Sequence, residues 1–313
     1  QLRVASLPQA AMVALDPISG NVKALIGGYD WRASKFNRAI QMRRQIGSTF
    51  KPFVYAAALK SRNYTLATTL LDSPETIALS GGKFYSPQNY SKKYQGELSL
   101  RTAFAKSVNT TAIRTTLDLS TVKVIEFATQ CGLSGPYPNG PSLALGAVES
   151  SPYILTQSFT AFANEGRRVK PRLITLLSRK DEVIERFKNE STQVMSQGVA
   201  YLMREALVEV VQNGTARSLR NLPQTVGGKT GTTNKNRDAW FVGITPSLVS
   251  AVWVGRDNNQ TLWKKATGGS AAAPIFKHFV SHVKPTGLEF PARPESVVQL
   301  SVDQNGLQVR ERS

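Results

Sequence analysis

The stretch running Gly47-Ser-Thr-Phe-Lys51-Pro-Phe-Val-Tyr-Ala-Ala-Ala-Leu59 constrains this chain more than any other. Past Lys51 it is apolar around its whole circumference. A surface helix turns one stripe to the core and the other to water, so a helix apolar all round must be packed on every side. The rest of the fold has to be built around it. Two polar groups stand at its head. Ser48 and Lys51 are three residues apart and share a helix face, so their side chains can touch. Pro52 falls in the first turn, where a missing N–H disrupts little. Backbone N–H groups at the start of a helix have no intrahelical partner and can face an anion. A lysine buried here is costly unless something uses it.

The flanking segments suggest what encloses this helix. Residues 10–28 read as strand, turn at Asp16-Pro17-Ile18-Ser19-Gly20, and strand. Residues 29–47 look like an irregular connection, and Arg62 to Gly96, rich in Ser, Gly, Asn and Tyr, reads as loops. Helices are expected after serine caps at Ser99, Ser120, Ser151 and Ser196, with another from Asn109 after a break at Ser107-Val108-Asn109. The period then changes. VGGKTGTT, DAWFVGI and LVSAVWVG predict an antiparallel meander, and SAAAPIFKHFVSHV a closing helix. Strands first, helices in the middle, then strands and a helix imply one mixed α/β domain with a largely antiparallel sheet. The tail after Pro285 carries two further strand-like runs, SVVQLSV and GLQVRE, and reads as a tail or the start of another small β module.

Composition narrows the chemistry. With 313 residues, 41% of them hydrophobic, a substantial core can form. The formal charge of +18 favours anionic partners without saying which. Its basic residues fall in scattered pairs, and no zinc-finger spacing, RNP motif or phosphate-binding loop is present, so nucleic acid is not the expected partner. No apolar run approaches the ~20 residues of a membrane span. The start has neither an initiator methionine nor a signal-peptide core, so the chain is expected to be a piece of a longer protein with any anchor upstream. The single cysteine, Cys131, reads as a small buried hydrophobe. The only two histidines, His278 and His282, lie four apart on one helix without a cysteine or an H-E-x-x-H glutamate. No metal site and no cofactor is expected.

The same scarcity of histidine weakens a Ser-His-Asp triad, and there is no G-x-S-x-G elbow. Serine with lysine as base remains. Ser-x-x-Lys occurs at Ser48/Lys51, Ser80/Lys83, Ser120/Lys123 and Ser281/Lys284. Only the first pairs a helix-starting serine with a lysine one turn on, amid apolar residues. To take a proton from a hydroxyl, the amine must be neutral. Bringing its pKa from about 10.4 to near 7 means destabilising the cation by roughly 4–5 kcal/mol, which burial or a second positive charge can supply. Two further motifs bear on this. Ser107-x-Asn109 sits at the break between two helices, where side chains can point into a cleft. Lys229-Thr230-Gly231-Thr232 lies on a predicted strand, and a glycine within a strand often marks the close approach of another backbone or a ligand.

Taken in order, Ser48-x-x-Lys51, Ser107-Val-Asn109 and Lys229-Thr-Gly-Thr232 resemble the penicillin-recognising serine transferases. Ser-Val-Asn in place of Ser-Asp-Asn points to the penicillin-binding side of that superfamily. The flanks LDPISGNVKALIGGYDW, FNRAIQMRRQIGSTFKPFVYAAAL, YSPQNY, VVQNGTA, GGKTGTTNKNRDAWFVGI and VWVGRDNN look like the transpeptidase domain of a class A, bifunctional penicillin-binding protein. The resemblance covers roughly residues 9 to 285. It implies a transpeptidase domain over 1–285, with 1–8 ending an interdomain linker and 286–313 forming the tail. It also implies an α/β fold with a central antiparallel sheet of about five strands and helices on both sides.

Under the resemblance, Ser48 is the nucleophile and Lys51 its base. Ser107 relays a proton to the leaving D-alanine. Lys229 keeps Lys51 neutral and orients Ser107. Asn109 holds the donor peptide's amide, Thr230 and Thr232 with Gly231 between them bind its terminal carboxylate, and the N–H groups of Ser48 and Thr232 form the oxyanion hole. The implied partners are peptidoglycan stem peptides, β-lactams, and cell-wall proteins that regulate the enzyme. The implied place is the outer face of the cytoplasmic membrane (the periplasmic side in a Gram-negative cell). A membrane anchor and a glycosyltransferase domain would lie outside this chain. A D,D-carboxypeptidase shares the motifs. A serine β-lactamase needs a water-activating Glu-x-x-Leu-Asn loop, and the nearest match, from Glu185, has lysine for leucine. A non-enzymatic basic binding module is the remaining alternative.

Overall fold

The computed structural model describes residues 7–78, 81–283 and 287–301. Its central sheet is made from both ends of the chain. Strands β1 (Gln9–Leu15) and β2 (Val22–Ile26) come first; β3 (Gly227–Thr232), β4 (Asp238–Thr245) and β5 (Leu248–Gly255) come last. The order across the sheet is β3-β4-β5-β1-β2, and every neighbouring pair is antiparallel. The β1–β2 turn closes as its sequence suggests: Asp16 Oδ1 accepts the N–H groups of Ile18 and Ser19 at 2.9 Å each, and Gly20 takes a φ of +71°. All residues of β4 and β5 are buried, because helices cover both faces of the sheet.

Helix α1 (Lys51–Lys60) is the predicted internal helix, buried from Lys51 to Leu59. Around it lie α2 (Leu100–Ala105), α3 (Asn109–Leu119), α4 (Thr121–Gln130), α5 (Pro152–Ala163) and α6 (Gln197–Gln212). Phe53 meets Phe159 of α5 edge-on at 5.6 Å, and Tyr55 meets Phe104 of α2 at 5.4 Å. Such contacts add to the burial of large rings. Helices α5 and α6 pack on one face of the sheet. On the other lies α7 (Ala273–His282), with the Phe276 ring 5.1 Å from Phe241 of β4. The serines at 99, 120, 151 and 196 each cap a helix through the side-chain oxygen.

Three local readings change. Ser48 stands in a 3₁₀ turn, Gly47–Phe50, that feeds α1 rather than in the α-helix itself. The segments expected to be loops contain ribbons: Thr69–Asp72 pairs with Gly96–Ser99, and Ile77–Ala78 with Phe84–Tyr85. An exposed hairpin, Leu176–Arg179 with Glu182–Arg186, carries Glu185 far from any buried site. Finally, Ser296–Ser301 forms no strand. Pro291 and Pro294 interrupt the preceding chain. Instead Phe290 packs on the core, with the Arg204 guanidinium of α6 held 5.0 Å from its ring. Ser80 and the GLQVRE run lie outside the described residues.

Candidate active site

Three segments meet beside α1. The first is the turn carrying Ser48. The second is the junction between α2 and α3, where Ser107 adopts a φ of +57°. A non-glycine residue in this region costs of order 1–3 kcal/mol and persists where the surroundings impose it. The third is the edge strand β3.

Lys51 Nζ, wholly buried, donates to the carbonyls of Ser107 (2.7 Å) and Val108 (3.0 Å) and to Asn109 Oδ1 (2.7 Å), and lies 3.4 Å from Ser107 Oγ. Lys229 Nζ, also wholly buried, donates to Ser107 Oγ at 2.8 Å and to its neighbouring carbonyl, Thr230 O, at 3.2 Å. The Ser107 hydroxyl therefore stands between two amines contributed by residues far apart in sequence.

Burial is the main force on both lysines. It holds Lys51 well below the ordinary amine range, and the nearby Lys229 charge pushes it the same way. Burial brings Lys229 down to about 7. A cation removed from water without a carboxylate partner is destabilised relative to the neutral amine. Lys229 is thus prepared to exchange a proton near neutral pH, and Lys51 gives up its proton more readily than an exposed lysine does.

Ser48 and Ser107 open onto a cleft of 840 Å³. Thr230, Thr232 and Thr233 form one wall, and Gln88, Asn89 and Tyr90 belong to the other. Thr232 Oγ accepts the Gly268 N–H at 3.1 Å, leaving its own proton to donate. Thr230 Oγ lies 2.6 Å from Thr215 Oγ, so the pair shares one proton and offers the other. Thr233 N donates inward to Asp238 O at 3.1 Å. Backbone groups alternate sides along an antiparallel strand, so the Thr232 N–H points out from the open edge of β3, towards the cleft. Asn109 is engaged at both ends, accepting from Lys51 and donating to Gln88 O at 2.8 Å, with one Nδ2 proton left over.

Close backbone approach holds these parts in register. Gly47 has a φ of +54°, and a Cβ there would lie 2.9 Å from Thr232 O. A Cβ on Gly146 would come within 1.9 Å of Gly47 O, and one on Gly231 within 2.5 Å of Ile46 O. The Ser48 turn is thus seated directly against β3. Asp238 locks the far side: it accepts from Arg44 Nε at 2.7 Å and Trp253 Nε1 at 2.9 Å, while Trp240 Nε1 donates to Gln45 O at 2.8 Å.

Other candidates lie elsewhere. Ser120 caps α4, and Ser281 bonds back to Lys277 O within α7. The rings of His278 and His282 lie 4.4 Å apart, tilted by 47°, on an exposed stretch of α7, and no cluster of metal-ligating side chains occurs among the described residues. Cys131 is buried, which pushes its thiol up to about 12. Sequence reasoning singled out Ser48, Lys51, Ser107, Asn109 and the Lys229–Thr232 run, and the fold brings them to one cleft. It assigned nothing to Thr215, Gln88 or Asn89, although the segments VVQNGTA and YSPQNY that contain them stood out as flanks.

A serine at the head of an internal helix and a lysine-bearing edge strand facing it are the marks of the serine acyl-transfer fold that recognises penicillin. The chain belongs to the penicillin binding protein transpeptidase domain family, whose model matches residues 10–281. It is 37% identical over 284 residues to penicillin-binding protein 1A of Neisseria meningitidis, covering 88% of this chain and 36% of that protein. It is 33% identical over 303 residues to penicillin-binding protein 1B of Haemophilus influenzae, covering 95% and 38%. The chain therefore spans little more than a third of the length of these relatives. Among solved structures, penicillin-binding protein 1A from Haemophilus influenzae superposes with a TM-score of 0.92 at 28% identity, over 96% of this chain and 52% of that one. PonA1 of Mycobacterium tuberculosis in complex with penicillin V gives 0.78 at 26% identity, over 96% and 83%.

Proposed function

We propose that this chain is a peptidoglycan D,D-transpeptidase unit, with residues 1–285 as its catalytic domain. The carrying observation is the Ser107 hydroxyl, held 2.8 Å from one buried amine and 3.4 Å from another, opening onto the same cleft as Ser48. Neutral Lys51 takes the Ser48 proton as Oγ attacks the carbonyl between two terminal D-alanines of a stem peptide. The developing oxyanion lies between the N–H groups of Ser48 and Thr232, each such donor being worth ~10²–10³ in rate. The proton passes through Ser107 to the departing nitrogen, the C–N bond breaks, and D-alanine leaves an ester on Ser48. The amine of a neighbouring stem peptide then attacks the ester, its proton returns to Ser48, and a cross-link has formed. Thr230 and Thr232 take the donor's carboxylate, with Gly231 allowing β3 to lie close to the Ser48 turn. Asn109 holds Lys51 and turns its remaining Nδ2 proton to a donor carbonyl.

A β-lactam offers the same carbonyl and carboxylate, and its acyl group stays on the serine. The complex of PonA1 with penicillin V supports this reading. By analogy with the longer relatives, the unit works at the outer face of the cytoplasmic membrane. It would be held by an anchor outside this chain, beside a glycosyltransferase domain and the cell-wall proteins that regulate it. No helix among the described residues is long and apolar enough to cross a membrane.

Intact-mass spectrometry after incubation with labelled penicillin tests the acylation step. A single long-lived adduct should map to Ser48 and be absent from Ser48→Ala. Rapid turnover of the drug would point to a lactamase instead. A stem pentapeptide supplied with and without an acceptor amine separates cross-linking from carboxypeptidase release.

A further inference from the structure

We propose that Asp72, together with Asn89, is a positioning device for the general base; this rests on the transpeptidase reading above. Asp72 ends the Thr69–Asp72 strand and is wholly buried. It makes none of the ion pairs found among the described residues. Its two oxygens accept three hydrogen bonds instead: Asn89 Nδ2 (2.7 Å) and Thr110 Oγ (2.6 Å) at Oδ1, and the Gln95 N–H (2.9 Å) at Oδ2. A buried carboxylate tied only to neutral donors is costly, and such groups are kept where they fix an arrangement.

What it fixes is the start of α3. Val108, the residue before that helix, offers no side-chain cap. The first N–H of α3, on Asn109, is satisfied from a distant loop: Asn89 Oδ1 accepts it at 2.8 Å. Asn89 can do this in one orientation only, because its Nδ2 is held by Asp72 Oδ1 and by Lys93 O at 3.0 Å. The second residue of α3, Thr110, is tied to Asp72 directly. Asn89 thus caps the helix in trans, and Asp72 holds both Asn89 and the Thr110 hydroxyl. Residues 107 to 109, which lead into this anchored start, supply the acceptors of the Lys51 amine among the described residues. Asn89 and Gln88 also line the cleft. A displacement of about 1 Å at such a base is enough to lower a rate by roughly 10²-fold.

The test measures binding and acylation separately, with a fluorescent penicillin, in Asp72→Asn, Thr110→Val and their double variant. Asp72→Asn keeps an acceptor for two donors and turns an NH₂ group against the Gln95 N–H. Thr110→Val removes one bond without adding a polar atom, and serves if Asp72→Asn does not fold. The expected result is an acylation rate constant lowered by roughly 10–100-fold with penicillin binding changed far less. The double variant should lose less than the product of the two single losses. In parallel, the Lys51 Cε resonance, in protein labelled with ¹³C-lysine, should move in each folded variant. Folded variants that acylate at the wild-type rate with an unmoved Lys51 signal overturn the proposal, leaving Asp72 a purely structural residue. If wild-type protein itself takes no penicillin, the transpeptidase reading fails, and the Lys51 resonance still decides whether Asp72 positions that amine.

Discussion

At the scale of single residues, the site is made by keeping positive charge out of water without a carboxylate beside it. Lys229 carries a cost that depends on pH. Its folded-state value of about 7 lies below its value in the unfolded chain, so the unfolded chain binds more protons between about pH 7 and 10.5. Stability therefore rises with pH across that window, and the full penalty, roughly 4–5 kcal/mol, applies below it. Lys229→Met should abolish acylation yet melt higher than wild type near pH 7. That difference should shrink as the pH is raised to 10, as followed by scanning calorimetry. Two of the motifs were legible because Ser-x-x-Lys at the head of an apolar helix and Lys-Thr-Gly-Thr on a strand are unusual placements of costly residues; Ser107-x-Asn109, a common pattern, stood out only by its place at a break between helices. Asp72, Asn89 and Thr215 were not legible. Their types are common in turns, and their partners lie 15 to 38 residues away, where no local pattern points.

Elements show the same division. The internal helix, the meander and the serine-capped helices could be read because each has a strong local period or a cap that satisfies an orphan N–H. The ribbons within 69–99 and 167–193 could not, since their strands are two to five residues long and depend on tertiary neighbours. Helix α1 should be the least tolerant element. Phe53→Ala leaves a hole between Phe50, Phe159 and Phe162, and a loss of about 3–5 kcal/mol is expected in urea unfolding. Acylation by the variant that still folds should fall as well, because Lys51 begins the same helix.

The molecule as a whole closes on itself: the first two strands and the last three complete one sheet, so the two ends of the domain share one set of ladder hydrogen bonds. The tail adds to this body. Phe290→Ala removes a half-buried ring and its contact with Arg204, which should cost about 1–2 kcal/mol and lower the melting temperature by roughly 2–6 °C. The acylation rate should be unaffected. The glycine contacts between the Ser48 turn, its neighbour at Gly146 and β3 reach further in their effect. No side chain can be introduced at Gly47, Gly146 or Gly231 without striking another main chain. The backbone around Ser48 is closed to side chains at these three positions. Under the proposed function, a new preference among acyl donors is expected to arise in the cleft walls, at exposed residues such as Tyr90 and Lys235.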